Sequence, residues 1–268
     1  MNIQTPAPIA ASQRLIFNLP VCDFDWADAF AFAERTVSRG VGQTIVSFLN
    51  ANNANLMMRD PEYRAVLSRH LVLPDGHGVD IASWLFHGDR FPANLNGTDF
   101  VPALMTYLTT PRRIAMIGAR PDTLYRAAEN FREHAPWHEF ITVADGYLDD
   151  ARSREAMARV RAFQPDILLV AMGSPKQEKW IDRYVGPGHA RLVISVGALF
   201  DFVAGGIPRA SPTIRRLRLE WLYRLVLEPR RLWRRYILGN PLFIYHVLRH
   251  KFGRRAPAAP VPVQRHRP

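Results

Sequence analysis

The sequence predicts an α/β protein: a mostly parallel sheet flanked by helices, with a basic helical appendage on its C-terminal side. Three observations carry that prediction. Short apolar runs alternate with longer stretches of helical periodicity. Each run opens into a loop of small or polar residues. Beyond Pro208 the composition turns to arginine interleaved with Trp, Leu and Tyr. With 268 residues, 48% of them hydrophobic, the chain is long enough to bury one substantial core. The expected division is a catalytic-type domain over 14–207 and an appendage over 208–252. The flanking segments, 1–13 and 253–268, are rich in Ala and Pro and expected to be flexible or disordered.

Strands are expected at Thr44 to Leu49, His70 to Leu73, Arg113 to Ile117, Phe140 to Val143, Ile167 to Ala171 and Leu192 to Val196, with helices between most of them. Parallel α/β sheets gather ligands at the carboxyl ends of their strands, where loops meet helix N-termini. The loops of interest are therefore 50–55, 74–78, 118–121, 173–177 and 197–206. In the appendage, Trp221, Leu222, Leu225, Trp233, Tyr236 and Ile237 recur at spacings of three and four, which places much of the apolar set on one helical face. Pro229 separates two helices there, because proline fits a first turn and not a helix interior.

The net charge of +11 calls for an anionic partner: nucleic acid, a phosphate-bearing substrate or a membrane surface. Cys22 is the single cysteine, which excludes an intramolecular disulfide and fits a reducing compartment. Residues 1–13 lack a secretory pattern, and no apolar run reaches the roughly 20 residues that span a bilayer. Membrane contact is accordingly expected to be peripheral, on the inner, cytoplasmic face.

Chemistry concentrates in a few segments. Pro74-Asp75-Gly76-His77-Gly78 sets a carboxylate on a tight turn at the ligand end of the sheet, where Asp75 serves either as a general base or as a cap for the next helix. Gly173-Ser174-Pro175-Lys176-Gln177-Glu178 begins a helix whose free N–H groups suit a diphosphate, with Lys176 and Gln177 as further donors; a plain strand-to-helix connection fits equally. Asn50, Asn52, Asn53 and Asn55 crowd one junction and can read sugar or base edges or simply cap. Gly97-Thr98-Asp99 is a helix start or a pocket wall. The histidines show no metal spacing, so no metal is expected. The absence of GxxxxGK(S/T), GxGxxG and GxSxG weighs against NTPase, dinucleotide and α/β-hydrolase chemistry.

Taken in order, these segments resemble the WecG/TagA/CpsF family of bacterial glycosyltransferases. The motifs are Asn50 with Arg59-Asp60-Pro61, Leu73-Pro74-Asp75-Gly76-His77-Gly78, Gly97-Thr98-Asp99, Gly173 to Glu178, Phe200-Asp201-Phe202, Arg209-Ala210 and Glu220 to Arg224 with Glu228-Pro229. The resemblance implies a Rossmann-like domain and an inverting transfer from a UDP-sugar to a sugar on a polyprenyl diphosphate, in exopolysaccharide or other cell-surface synthesis. It further implies Asp75 as catalytic base. It places Asn50, Gln177, Arg209, Arg224 and Arg231 around the substrates, with an anionic membrane surface beneath the appendage; the loops themselves add Asn94, Thr98, Asp99, Gly173 and Lys176 as binding candidates. Family members can self-associate, so a homo-oligomer is open. Phe48 stands where the family commonly has Thr, and Asn94 where it has Arg, which leaves the donor open between a hexose and an N-acetylhexosamine. Two other classes fit the charge: a nucleic-acid-binding protein, which would bind DNA or RNA in a salt-sensitive way without turnover, and a non-catalytic partner in a polysaccharide assembly complex. The family reading expects no nucleic acid.

Overall fold

The computed structural model describes residues 12–38, 42–208, 210–211, 213–214 and 219–253. The expected flexible start up to Ala11, the tail from Arg254 and Arg209 lie outside the described residues.

A hairpin, β1 (Gln13–Ile16) and β2 (Leu19–Cys22), comes first, followed by α1 (Trp26–Ser38). The sheet is formed by β3 (Thr44–Leu49), β4 (Leu71–Pro74), β5 (Arg113–Gly118), β6 (Glu139–Ala144), β7 (Ile167–Ala171) and β8 (Leu192–Ser195). Its order is β4-β3-β8-β7-β5-β6 and every pairing is parallel. Between strands lie α2 (Ala51–Arg59), α3 (Pro61–Leu67), α4 (His77–His87), α5 (Gly97–Tyr107), α6 (Pro121–His134), α7 (Asp150–Phe163) and α8 (Lys176–Tyr184). After β8 come α9 (Leu199–Val203), α10 (Glu220–Leu227), α11 (Pro229–Trp233), a π-helical turn (Arg234–Leu238) and α12 (Gly239–Phe252).

All six expected strands form, with ends displaced by a residue or so. A parallel sheet is covered on both faces, and alternate side chains show it. Val46, Met116, Leu169 and Ile194 join one core with α1, α5 and α6, while Leu49 and Val72 join another with α2, α4 and α12. Ala115, Leu168 and Val193 form a third with α7 and α8.

The hairpin turns on Phe17 and Asn18, both at positive φ (51° and 64°). Phenylalanine is a costly residue there, but its ring is buried edge-on between Phe86 and Phe243, at 5.6 and 5.9 Å between centroids.

The segment expected as one appendage divides in two. No side chain of α10 is buried, and α11 buries only Leu232. Helix α12, by contrast, sets Phe243 and Val247 into the core beside Leu49, Met57 and Tyr63. Pro229 does separate the two helices, at the first position of α11.

Gly118 ends β5 at φ +123°, and a Cβ there would lie 2.2 Å from the Ala171 carbonyl oxygen. Gly118→Ala therefore combines a strained backbone with a clash against rigid main chain, and it should cost more than about 2 kcal/mol. Chemical denaturation reads this directly; an unchanged midpoint would refute it.

Candidate active site

The turn after β4 is held from several sides. The Asp75 N–H donates to Leu49 O (2.9 Å), and the Leu95 N–H donates to Pro74 O (3.0 Å). The Gly76 N–H donates to Asn94 Oδ1 (2.7 Å). Gly76 itself sits at φ +86°, which glycine adopts freely, and immediately precedes α4. The Asp75 side chain makes no cap bond to that helix; its Oδ2 accepts from Asn50 Nδ2 at 2.9 Å. Asn50 in turn caps α2, with its Oδ1 accepting the Asn53 N–H at 3.0 Å. One side chain thus starts a helix and orients a carboxylate.

Burial is the largest influence on Asp75 and raises its pKa. The Asn50 hydrogen bond and the charges of Arg235 and Arg224 oppose that rise, and the Asp99 carboxylate adds to it. The net direction is upward, so this carboxyl holds a proton more tightly than an ordinary aspartate.

The turn after β7 is ordered by Gln177. Its Oε1 accepts N–H groups from Gly173 (3.1 Å), Gly197 (3.0 Å) and Met172 (3.4 Å), joining the loops after β7 and β8. Its Nε2 donates to Glu178 Oε1 at 2.9 Å, and Ser174 Oγ donates to the same oxygen at 2.7 Å. Glu178 is buried, and its pKa is raised by that burial against the pull of those two donors.

Two cavities meet at Asp75. The first, about 850 Å³, runs over the strand ends and is lined among others by Lys176, Arg120, Tyr147, Asp201, Phe202 and Arg231. The second, about 700 Å³, opens between α4, the 90–96 loop and the C-terminal helices, against Phe91, Ile81, Trp221, Tyr236, Phe243 and Ile244. The residues common to both form a neck: Asn50, Asn52, Asp75, Thr98, Arg224 and Arg235. Among the described residues no group of three or more His, Cys, Asp or Glu side chains gathers where it could hold a metal ion.

Comparison with known proteins gives this geometry a context. Residues 14–257 match the glycosyl transferase WecG/TagA/CpsF family. The chain belongs to this family. It is 31% identical over 248 residues to a Bacillus spizizenii protein, covering 90% of this chain and 93% of that one. It is also 31% identical over 239 residues to a Bacillus subtilis protein, covering 88% and 91%. Both are named N-acetylglucosaminyldiphosphoundecaprenol N-acetyl-beta-D-mannosaminyltransferase, as is a Staphylococcus aureus protein 28% identical over 140 residues, about half of each chain.

In this glycosyltransferase the residues expected around the substrates fall into three groups. Asp75, Asn50, Thr98 and Arg224 stand at the neck, Gly173, Lys176 and Arg231 line the first cavity, and Asn94 lines the second. Gln177 also borders the first cavity, but both ends of its amide are engaged inside the protein. Lys176 Nζ donates to Gly146 O at 2.8 Å, beside the exposed Tyr147 ring. Asp99 lines neither cavity: its N–H and its Oδ2 are both bonded to Asn96, the cap of α5, each at 2.9 Å. Arg209 lies outside the described residues. Sequence reading passed over Arg235, Arg120, Tyr147 and Asp201 as site residues. The ligand loops 118–121 and 197–206 contain Arg120 and Asp201, and the arginine-rich stretch beyond Pro208 contains Arg235; Tyr147 alone of the four carried no signal.

Proposed function

We propose that this glycosyltransferase moves a hexose or N-acetylhexosamine from a UDP-sugar to a sugar carried on a polyprenyl diphosphate, with inversion, in cell-surface polysaccharide synthesis. One observation carries the reading: Asp75 stands where a polar cavity meets a second cavity with an apolar wall. The polar cavity, with its arginines and Lys176, suits a nucleoside diphosphate. The second suits an amphipathic acceptor, as the names of the relatives would lead one to expect.

In this scheme the acceptor hydroxyl enters the neck from the second cavity and gives its proton to Asp75 as its oxygen bonds the anomeric carbon. The bond from that carbon to the diphosphate oxygen breaks, and the electron pair leaves with UDP. Arg224 offsets the charge that builds up there.

The lipid-linked acceptor also gives the outer surface of the C-terminal helices a purpose. Leu222, Val226, Trp233, Ile237 and Leu238 are exposed among arginines, a composition that favours an anionic membrane interface. No described helix is long and apolar enough to cross a membrane. Peripheral attachment at the inner face follows from the acceptor's nature in this reading.

The test is a transfer assay with purified protein, a synthetic polyprenyl-diphosphate-linked sugar and a panel of UDP-sugars, read by mass. Product from one donor is expected. No product from any donor, with tight and salt-sensitive nucleic-acid binding instead, would sink the proposal.

A further inference from the structure

The two arginines at the neck look alike in sequence and differ in surroundings. Arg224 lies over the ring of Phe202, 4.9 Å from its centre, and Phe202 lines the first cavity alone. Arg235 lies beside Tyr236, 5.5 Å from that ring's centre, and Tyr236 lines the second cavity alone. Tyr236 continues into the apolar wall through Trp221, with ring centres 6.0 Å apart. Burial covers the Nε of both arginines, and neither Nε has a hydrogen-bond partner among the described residues.

The backbone explains why Arg235, out of so many arginines, reaches the neck. It belongs to the π-helical turn, where the wider coil shifts the direction of successive side chains. Arg235 and Tyr236 are half-buried there, while Arg234, Ile237 and Leu238 face out. The second cavity therefore has both neck guanidiniums at one end, beside a carboxylate, but it is Arg235 that continues through Tyr236 and Trp221 into the aromatic and aliphatic wall along its length. That arrangement matches a molecule with an anionic head and an isoprenoid chain.

We infer that Arg235 holds the diphosphate of the lipid-linked acceptor, and that Arg224 holds the diphosphate of the nucleotide donor. The two cations at the neck are then not interchangeable: each reads a different substrate. The inference rests on the two-substrate reading above.

Kinetics of the full chain with the active donor and a short polyprenyl-diphosphate-linked sugar separate the two roles. Arg235→Gln should raise the acceptor KM about tenfold or more, leaving the donor KM and the calorimetric Kd of UDP within about twofold; Arg224→Gln should do the reverse. Arg235→Lys should recover part of the loss, and removing one acceptor phosphate should hurt the wild type more than Arg235→Gln. A higher donor KM or weaker UDP binding in Arg235→Gln, or a fall in kcat alone, would overturn the assignment. If the wild type transfers nothing, the transfer reading fails, and the inference is judged on binding of a short isoprenyl diphosphate. Weakening by Arg235→Gln alone supports it, and equal weakening by both variants refutes it.

Discussion

Asp75→Asn should lower transfer by about 10²–10⁴-fold, the usual loss when a positioned base is removed, while the protein stays folded. The amide is nearly isosteric, and its oxygen can still accept from Asn50 Nδ2, so the turn keeps its anchors at Leu49, Asn94 and Leu95. Stability should even rise. Burial raises the folded-state pKa of Asp75, so the folded protein binds that proton more tightly than the unfolded chain. Ionisation at neutral pH therefore works against folding, and the neutral amide removes that cost. A thermal melt at pH 7 should place the variant at or above the wild type.

The same carboxyl sets the pH dependence of the reaction. The base is lost as pH falls through its raised pKa, so the acid limb of kcat/KM should lie above the ordinary aspartate value of about 3.9. Arg235 pulls that pKa down. Its removal should move the limb to higher pH, whereas a change at a distant surface arginine should not. Near-normal turnover in Asp75→Asn would end its assignment as base.

The sheet was legible in the sequence because buried parallel strands are short apolar runs bounded by small residues, and all six announce themselves that way. The hairpin was not legible. Its turn is Phe17-Asn18, without the glycine that usually marks a two-residue hairpin, and it is held by aromatic contacts from Phe86 and Phe243, far along the chain. The Asp75 turn was legible because an Asp-Gly pair after an apolar run marks a tight turn at the strand's end, although the pair alone left base and cap both open. The cations were only partly so. Arg224, Arg231, Arg234 and Arg235 look equivalent as letters, yet Arg224 and Arg235 reach the neck, and for Arg235 the π-helical turn sets that direction. Helix α12 was read together with its basic neighbours, although Phe243 and Val247 tie it to the core.

Gln177 borders the first cavity while its amide is bonded at both ends within the protein, and its substitution has the second large effect expected. Gln177→Leu leaves the N–H groups of Met172, Gly173 and Gly197 without their acceptor and takes one of two donors from the buried Glu178 Oε1. Each buried polar group left unsatisfied costs about 1–3 kcal/mol, so a total near 3 kcal/mol is a modest expectation. In a chain of this size that lowers Tm by roughly 6–12 °C. Gln177→Glu separates the two ends of the amide. It keeps an acceptor for the three N–H groups but sets a second carboxyl against Glu178, and the pair must share a proton. Its melting temperature should therefore approach the wild type in acid and fall as pH rises and that proton is lost, while Gln177→Leu stays low throughout. A residue that only touched substrate would give the opposite pattern, with wild-type melting and weakened UDP binding. Melting curves across pH, with a UDP titration on each variant, distinguish a fastener of the cavity floor from a ligand.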